Sequence, residues 1–418
     1  MTQSEKNVVV IGAGLAGLTA ARTLRLAGAS VRVLEAQPHL GGRVHSVIQD
    51  DFTLDAGFQV LFTAYPAVQR NLDLKRLDLV PLLPAAVICQ GRSRETIGRD
   101  PGSLRGTLLA GSLSWPDRAR VLALAATLKS APVAHLLLGD DEPTHDFLRR
   151  YGFSNGAIQR FFSPFFGGIF LNRDLSVSAR LFRYYFRMLL DGQIALPRGG
   201  IGRVTQQLAE GLEVSLETRV THLEPRAAGV IVHTEGETLE ATHVIVATDP
   251  PELKRLTGAN VPTGGVGSTY LYYTSSVRLD AEPRLLLNAE EGHLNNALWL
   301  SNVNPLLAPV GQQLLSVTAL GAEGLDDGEL DRRVKRELSG WYGDAAAHLQ
   351  LLKLVRIPFA QFAQPAGFSA ALPDNETPLP NVLIASEATS MSSVQGAMES
   401  GEQAAALVLG RGVRARGA

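Results

Sequence analysis

The strongest constraint on this chain is a run near its start in which an apolar strand, a glycine turn and a helix follow one another without interruption. Asn7-Val8-Val9-Val10-Ile11 reads as a buried strand, Gly12-Ala13-Gly14-Leu15-Ala16-Gly17 follows the G-x-G-x-x-G pattern, and residues 18–27 continue as helix. A second strand over 30–34 ends at Glu35, twenty-one residues after Gly14, with Ala36 behind it. Gly12 permits the tight turn, Gly14 lets a diphosphate reach the backbone, and Gly17 lets the helix lie close on the strand. The helix N-terminus supplies unpaired N–H groups and a partial positive charge, so no lysine is required there. Glycines also serve ordinary turns. What selects dinucleotide binding is the order strand, turn, helix, strand, acid, which puts Glu35 where a ribose would lie.

The chain is long enough, at 418 residues, for two or three domains. Hydrophobic residues make up 45% and charged ones only 19%, a balance that accommodates a large apolar cavity or an apolar patch of surface. A net charge of -2 gives no electrostatic reason to expect nucleic acid as a partner. The single cysteine, Cys89, excludes an intrachain disulfide framework and a cysteine metal cluster. His222, His233 and His243 fall on separate strands without a compact ligand motif, so no metal is expected. The first six residues lack the charged and apolar regions of a secretory leader, which points to a cytoplasmic protein or one on the cytosolic face of a membrane. The most apolar helical stretch, 119–138, carries Arg120, Lys129, Pro132 and His135 and is a poor membrane span. It reads as a core or cap helix, with peripheral membrane contact as the alternative.

Beyond Glu35, Leu40-Gly41-Gly42-Arg43 makes a second glycine turn, with Arg43 placed to neutralise a diphosphate. Strands are expected over 44–48 and 52–54, followed by the small-residue return Asp55-Ala56-Gly57-Phe58-Gln59, where Gln59 either faces the cofactor or finishes the turn. Helices are expected over 65–72, 144–151, 178–190, 201–209 and 330–340, and strands over 77–83, 86–90, 212–216, 219–224, 229–233, 242–247, 269–271, 284–289, 297–301 and 313–319. Phe161, Phe162, Phe165, Phe166 and Phe170 form an aromatic mass that Pro164 and Gly167-Gly168 should break into turns. Such a mass builds either a concave substrate wall, the favoured reading, or a packed core. Tyr270, Trp299 and Phe368 are further pocket candidates for which core packing is the default. The tail returns through a strand over 381–385, Ser386-Glu387 and a helix from 394 to 409.

These segments together resemble the flavin-containing amine oxidase superfamily, most of all its phytoene-desaturase-like and protoporphyrinogen-oxidase-like branch. The opening through Leu18, the acid Glu35, the turn ending in Arg43 and the return at Gly57, Phe58 and Gln59 match its FAD segments. Ser163-Pro164-Phe165-Phe166-Gly167-Gly168-Ile169-Phe170 and Pro197-Arg198-Gly199-Gly200-Ile201 are similar to its substrate-domain and recrossing segments. Val220 matches the strand residue that approaches adenine, and Gln395-Gly396-Ala397 matches the helix entry beside the isoalloxazine. One departure stands out: the usual strand-end Gly-Asp is replaced by Ser386-Glu387.

The resemblance implies an α/β fold, with a Rossmann-type FAD-binding domain interleaved with a mixed α+β substrate domain and a helical cap. The expected FAD-binding unit comprises 1–64, 198–255 and 366–418, and the substrate and cap regions 65–197 and 256–365. The expected cofactor contacts are Gly12, Ala13, Gly14, Gly17, Glu35, Ala36, Gly42, Arg43, Gly57, Phe58, Gln59, Val220, Glu387, Gln395, Gly396 and Ala397. The implied activity is oxidation of a hydrophobic alkene, polyene or cyclic substrate, with oxygen or a quinone as acceptor. Amine oxidation, and an FAD-containing isomerase or apolar-ligand-binding protein, are the alternatives. Lys353, Phe359 and Phe362 lack the local pattern of an amine-oxidase lysine and aromatic cage, and no general base emerges.

Overall fold

The computed structural model describes residues 6–262 and 264–411. The leader reading rests on residues of which all but Lys6 lie outside that set, as do the last seven positions of the C-terminal segment. A five-stranded parallel sheet runs in the order Glu213–Ser215, Ser30–Leu34, Asn7–Ile11, His243–Val246, Val382–Ile384. Its strands come from three distant parts of the chain. Side chains alternate across a strand, so Val8 and Val10 enter one hydrophobic core and Val9 and Ile11 another. Both faces are thus covered, as parallel sheets require.

One cover is the helix Leu15–Leu26, which lies against the C-terminal helix Val394–Val408. A side chain at Gly401 would place its Cβ 2.4 Å from the carbonyl oxygen of Ala16, so the crossing admits only glycine. On the far side, Val220–Arg226, Gly229–Thr234 and Thr238–Ala241 form an antiparallel sheet. Its third strand went unread in the sequence, being only four residues long.

The second large sheet has seven strands, in the order Gln350–Phe362, Gly265–Ser275, Gln313–Ala319, Leu294–Trp299, Leu285–Asn288, Ala85–Gln90, Ser93–Gly98. Its faces are again separated by period two: Leu271 and Tyr273 pack toward Leu330, Val334, Leu338 and Trp341 of the helix Asp327–Tyr342. Tyr270 and Tyr272 face the other way, toward Phe52, Leu54 and Leu196. The thirteen-residue strand Gln350–Phe362 was not among the strands expected from the sequence. Pro358 and two register shifts against Gly265–Ser275 break the alternation that would have revealed it.

Two helical expectations need correction. The 119–138 stretch is not one helix: Trp115–Ser130 ends before Pro132, whose ring disfavours helical Ala131, and a short 3-10 turn Val133–Leu137 follows. Residues 155–170, expected to break at Pro164 and the glycine pair, instead run on as one helical body. A π turn at Ile158–Phe162 precedes Ser163–Phe170, where Pro164 occupies a first-turn position that needs no N–H.

The hairpin Ser46–Gln49 with Phe52–Asp55 is tied to the recrossing segment by Asp55, which accepts from Ser46 Oγ at 2.6 Å and from the Ile201 N–H at 2.9 Å. Burial nonetheless pushes its carboxyl up from 3.8 to about 6. The folded chain therefore binds this proton more tightly than the unfolded chain, and stability falls as pH rises from 3.8 through about 6. Denaturant titrations across that window should show the wild type losing on the order of 2 kcal/mol relative to the non-titrating Asp55→Asn chain. Parallel pH profiles for the two would contradict this.

Candidate functional site

The helix Leu15–Leu26 begins after Gly14, which contributes no side-chain cap, so the first-turn N–H groups have no helical partner. Gly14, Leu15 and Ala16 open onto a cavity of about 970 Å³, at the upper end of ordinary ligand pockets. No heavy atom lies within 4 Å of the position a Cβ on Gly14 would take. The positive end of the helix is therefore presented bare, as a diphosphate requires. Gly12, at φ +106°, is needed for a different reason: a Cβ there would stand 2.5 Å from the Ala247 carbonyl oxygen. At Gly17 it would stand 2.0 Å from the Gly12 carbonyl oxygen.

Glu35 is fixed by two backbone donors, the Ala13 N–H at 2.7 Å and the Gln37 N–H at 2.8 Å. With Ala36 and Val220 it lines the same end of the cavity. Arg43 lines it too, donating from Nη1 to Glu387 Oε1 and to the Ala360 carbonyl oxygen, each at 2.8 Å. Gln59 gives its amide protons to the carbonyl oxygens of Arg43, at 2.6 Å, and Ala56, at 3.1 Å. It thus finishes the local turn while remaining in the wall beside Gly42 and Phe58.

Five of the expected contact residues, Ala13, Gly17, Gly57, Gln395 and Gly396, stand behind the wall. Gly57, at φ +94°, makes room for the Tyr270 ring, which a Cβ would meet at 2.5 Å. Gln395 is buried and accepts from the Ala67 N–H at 2.8 Å, binding the tail to the helix Pro66–Asn71. Gly396 abuts Met391, whose carbonyl oxygen a Cβ would meet at 2.0 Å. The tail reaches the cavity through Glu387, Ser393, Val394 and Ala397 instead.

The other arm of the cavity is apolar, walled by residues such as Phe62, Tyr65, Phe165, Ile169, Leu171, Tyr185, Tyr270, Leu285, Ile357 and Phe359. The ionisable acids and bases in the wall, Glu35, His39, Arg43, His45, Arg219, Asp249, Glu252 and Glu387, all belong to the nucleotide-side segments. Burial raises the phenols of Tyr65, Tyr185 and Tyr270, which stay protonated, and the Tyr185 hydroxyl donates to the Ser392 carbonyl oxygen at 3.3 Å. Among the described residues no lysine lines the cavity, and Lys353 and Phe362 stand outside it.

The aromatic run divides between the two roles considered for it. Phe162, Phe166 and Phe170 recur every four residues on the inner face of the helix and are buried, with Phe166 edge-on to Phe182 at 4.6 Å between centroids. Of the five phenylalanines only Phe165 reaches the wall, backed by Phe161. Trp299 is core, donating from Nε1 to the Tyr342 hydroxyl at 3.0 Å, and Phe368 packs outside the cavity.

Besides Gln37 at the nucleotide end, two neutral amides on the substrate side of the wall escaped the sequence reading. Asn296 donates from Nδ2 to Thr318 Oγ1 at 3.2 Å and accepts from Asn295 Nδ2 at 2.8 Å; a register shift between Leu294 and Asn296 brings the pair together. Gln361 donates to the Ile169 carbonyl oxygen at 2.7 Å. Gly168 packs directly on the asparagines, 2.8 Å from Asn296 Oδ1 at the Cβ position. The available signal was an Asn-Asn pair inside a strand, where asparagine is depleted.

The profile of the family described as flavin containing amine oxidoreductase matches residues 15–409. The chain belongs to that family. It is similar, at 22% identity over 97% of its length and 98% of the relative's, to a zeta-carotene desaturase of Synechocystis sp.. A putrescine oxidase of Kocuria rosea is 53% identical, but over only 14% of this chain and 12% of its own. A crystal structure from Exiguobacterium sp. 255-15, described as a protoporphyrinogen oxidase, shares the fold with a TM-score of 0.74 at 17% identity, covering 98% of this chain and 100% of that one. The family member is an FAD-dependent oxidoreductase, and the bare helix end, the strand-end acid and the long cavity fit that cofactor.

Replacing Glu35 by Ala removes the acceptor of two charge-assisted bonds, worth about 1.5–3 kcal/mol each. Titration of refolded apoprotein with FAD, followed by quenching of flavin fluorescence, should show at least roughly a tenfold weaker affinity. Gly168→Ala should instead destabilise the fold by about 1–3 kcal/mol through overpacking on Asn296 while leaving FAD affinity unchanged.

Proposed function

We propose that the protein dehydrogenates a hydrophobic alkene, polyene or cyclic substrate. The observation that carries this reading is that, among the described residues, every acidic or basic side chain in the cavity wall comes from 1–64, 198–255 or 366–418, while 65–197 and 256–365 contribute only apolar and neutral ones. Bound FAD would accept a hydride at N5 of the isoalloxazine. The chain's own residues shape the arm, exclude water from it and orient the substrate: Phe165, Ile169 and Leu285 by surface, Asn296 and Gln361 by their amides. Among the described residues the substrate-side segments offer an ammonium-bearing substrate no carboxylate in the wall, which disfavours the amine-oxidase alternative.

We divide the chain as expected, with 1–64, 198–255 and 366–418 binding FAD, and 65–197 and 256–365 forming the substrate and cap regions. The origins of the strands in the two large sheets support this division. Among the described residues no helix is long and apolar enough to cross a membrane. We place the protein in the cytoplasm or on the cytosolic face of a membrane, with oxygen or a quinone as electron acceptor.

Anaerobic mixing with representative polyenes, reduced tetrapyrroles and amines, followed by flavin absorbance, tests the reading. A polyene or cyclic alkene should bleach the flavin, and Phe165→Asp, which puts an unpaired charge in the arm, should slow bleaching by at least about a hundredfold, equivalent to roughly 2.7 kcal/mol. Bleaching by amines alone would establish the alternative. A flavin that binds apolar ligands without reduction would point to an isomerase or binding protein.

A further inference from the structure

The short helix Leu104–Leu109 is built inside out. Its small and polar residues face the protein: Thr107 Oγ1 accepts from the Gly98 N–H at 2.8 Å and donates to the Gly98 carbonyl oxygen at 3.0 Å, and Gly106 lies against Thr96. None of its residues is buried, and Leu104, Leu108 and Leu109 are 54%, 57% and 74% exposed. The neighbouring helix Trp115–Ser130 repeats the inversion. Trp115, Ala119, Leu122 and Ala126 form one solvent-facing stripe at helical spacing, with Trp115 and Leu122 exposed to 67% and 72%.

Arg118 joins the two helices into a single surface. Its guanidinium lies 4.7 Å from the Trp115 ring centre, donates to the Leu108 carbonyl oxygen at 2.8 Å, and also donates to that of Ala110. Along the segment itself the charge is one-sided, with Glu95, Asp140, Asp141 and Glu142 beyond its ends. Residues 99–138 hold five Arg and Lys against two Asp, in a chain whose net charge is -2. Both acids are drawn inward, Asp100 by Ser103 and Arg284 and Asp117 by Ser114 and Ser154. Arg120 is paired with Asp117 at 3.7 Å and Lys129 with Asp191 at 3.6 Å, whereas exposed Arg105 stands among the leucines themselves.

We propose that this face, formed by Leu104, Leu108, Leu109, Trp115 and Leu122 with Arg105 among them, docks on an anionic lipid bilayer. Exposed leucines with an interfacial tryptophan supply the apolar insertion, and the cationic excess matches the negative surface of such a leaflet. A partner protein of neutral surface would leave the charge bias unexplained. The patch is also anchored beside the apolar arm: Arg99 donates its backbone N–H to the Pro84 carbonyl oxygen at 2.9 Å, and Arg284 donates from Nε to Ser103 Oγ at 3.1 Å. Leu82 and Leu285, close to those partners in sequence, line the cavity. Docking goes beyond the substrate assignment and stands whether or not that assignment holds, because vesicle binding is read without turnover.

The test is sedimentation of the FAD-loaded protein with phosphatidylcholine vesicles containing about one third phosphatidylglycerol, and with phosphatidylcholine alone. The wild type should pellet with the anionic vesicles and lose binding as salt rises. The triple variant Leu104→Ser, Leu108→Ser, Leu109→Ser should bind at least about tenfold more weakly, and Arg105→Glu roughly three- to tenfold more weakly. Both variants should keep the wild-type melting temperature and flavin content, since the altered side chains are exposed. Failure of the wild type to bind anionic vesicles, or equal binding by the triple variant, would overturn the proposal. So would a concentration-dependent dimer, seen by ultracentrifugation, that the triple variant abolishes in a protein indifferent to vesicles; that face would then belong to a second copy of the chain.

Discussion

The cavity exists because two helices from opposite ends of the chain meet without side chains between them. At the crossing of Leu15–Leu26 and Val394–Val408, Gly401 sits so close to the Ala16 carbonyl that even a methyl group would collide, and Ala20, Ala404 and Ala405 keep the surrounding contact thin. That proximity places the entry of the C-terminal helix beside the glycine turn of the first. Ser400, one residue before the crossing, secures it: its hydroxyl accepts from the Ser386 N–H at 2.9 Å and from Asn375 Nδ2 at 3.0 Å. Displacing the tail helix would therefore carry Glu387, Ser393 and Val394 away from the nucleotide turn together.

From this junction the two arms acquire opposite characters for separate physical reasons. The nucleotide side is built on the C-terminal ends of parallel strands, where loops expose backbone N–H groups and strand-end acids. The substrate side is built on one face of a mixed sheet and on the Ser163–Phe170 helix, whose period-two and period-four patterns deliver apolar side chains to a common wall. Asn295, Asn296 and Gln361 lash that helix to the sheet through the carbonyls of Pro164 and Ile169. Two neutral amides can sit in so apolar a wall because their polar atoms have partners there.

The sequence made the nucleotide side legible because each of its constraints is local. A turn needing positive φ, a strand of consecutive valines and an acid at fixed spacing can be recognised from neighbours alone, and the strands at Asn7–Ile11 and Ser30–Leu34 lie where the pattern put them. The substrate side depends on contacts between distant segments. Nothing near Phe162 distinguishes it from Phe165; only the helix packed through Phe182 decides which ring faces the core. Gln395 shows the same limit, since a match to a cofactor motif cannot reveal that its side chain is committed to Ala67. The inverted helix Leu104–Leu109 was invisible for a related reason: leucines in a helix read as core until the structure shows which face they take.

The exchange of the expected Gly-Asp for Ser386-Glu387 shows how a local departure can be absorbed by its surroundings. Ser386 accepts from the Ala388 N–H at 3.2 Å, and the short 3-10 turn Glu387–Thr389 follows it. From there the glutamate reaches Arg43 of the second glycine turn at 2.8 Å, while the same arginine nitrogen holds the Ala360 carbonyl near the end of the long substrate-side strand. One guanidinium thereby joins the second glycine turn, the tail and the substrate sheet around the cavity. An aspartate at this position would be one carbon shorter, about 1.5 Å, and from this backbone position it would leave the arginine without its carboxylate partner. Since the buried Glu387 carboxylate has the partly exposed Arg43 as its ion-pair partner, the longer acid and the serine turn form a coupled adjustment, and the length of Glu387 is set by Arg43 as much as by any cofactor.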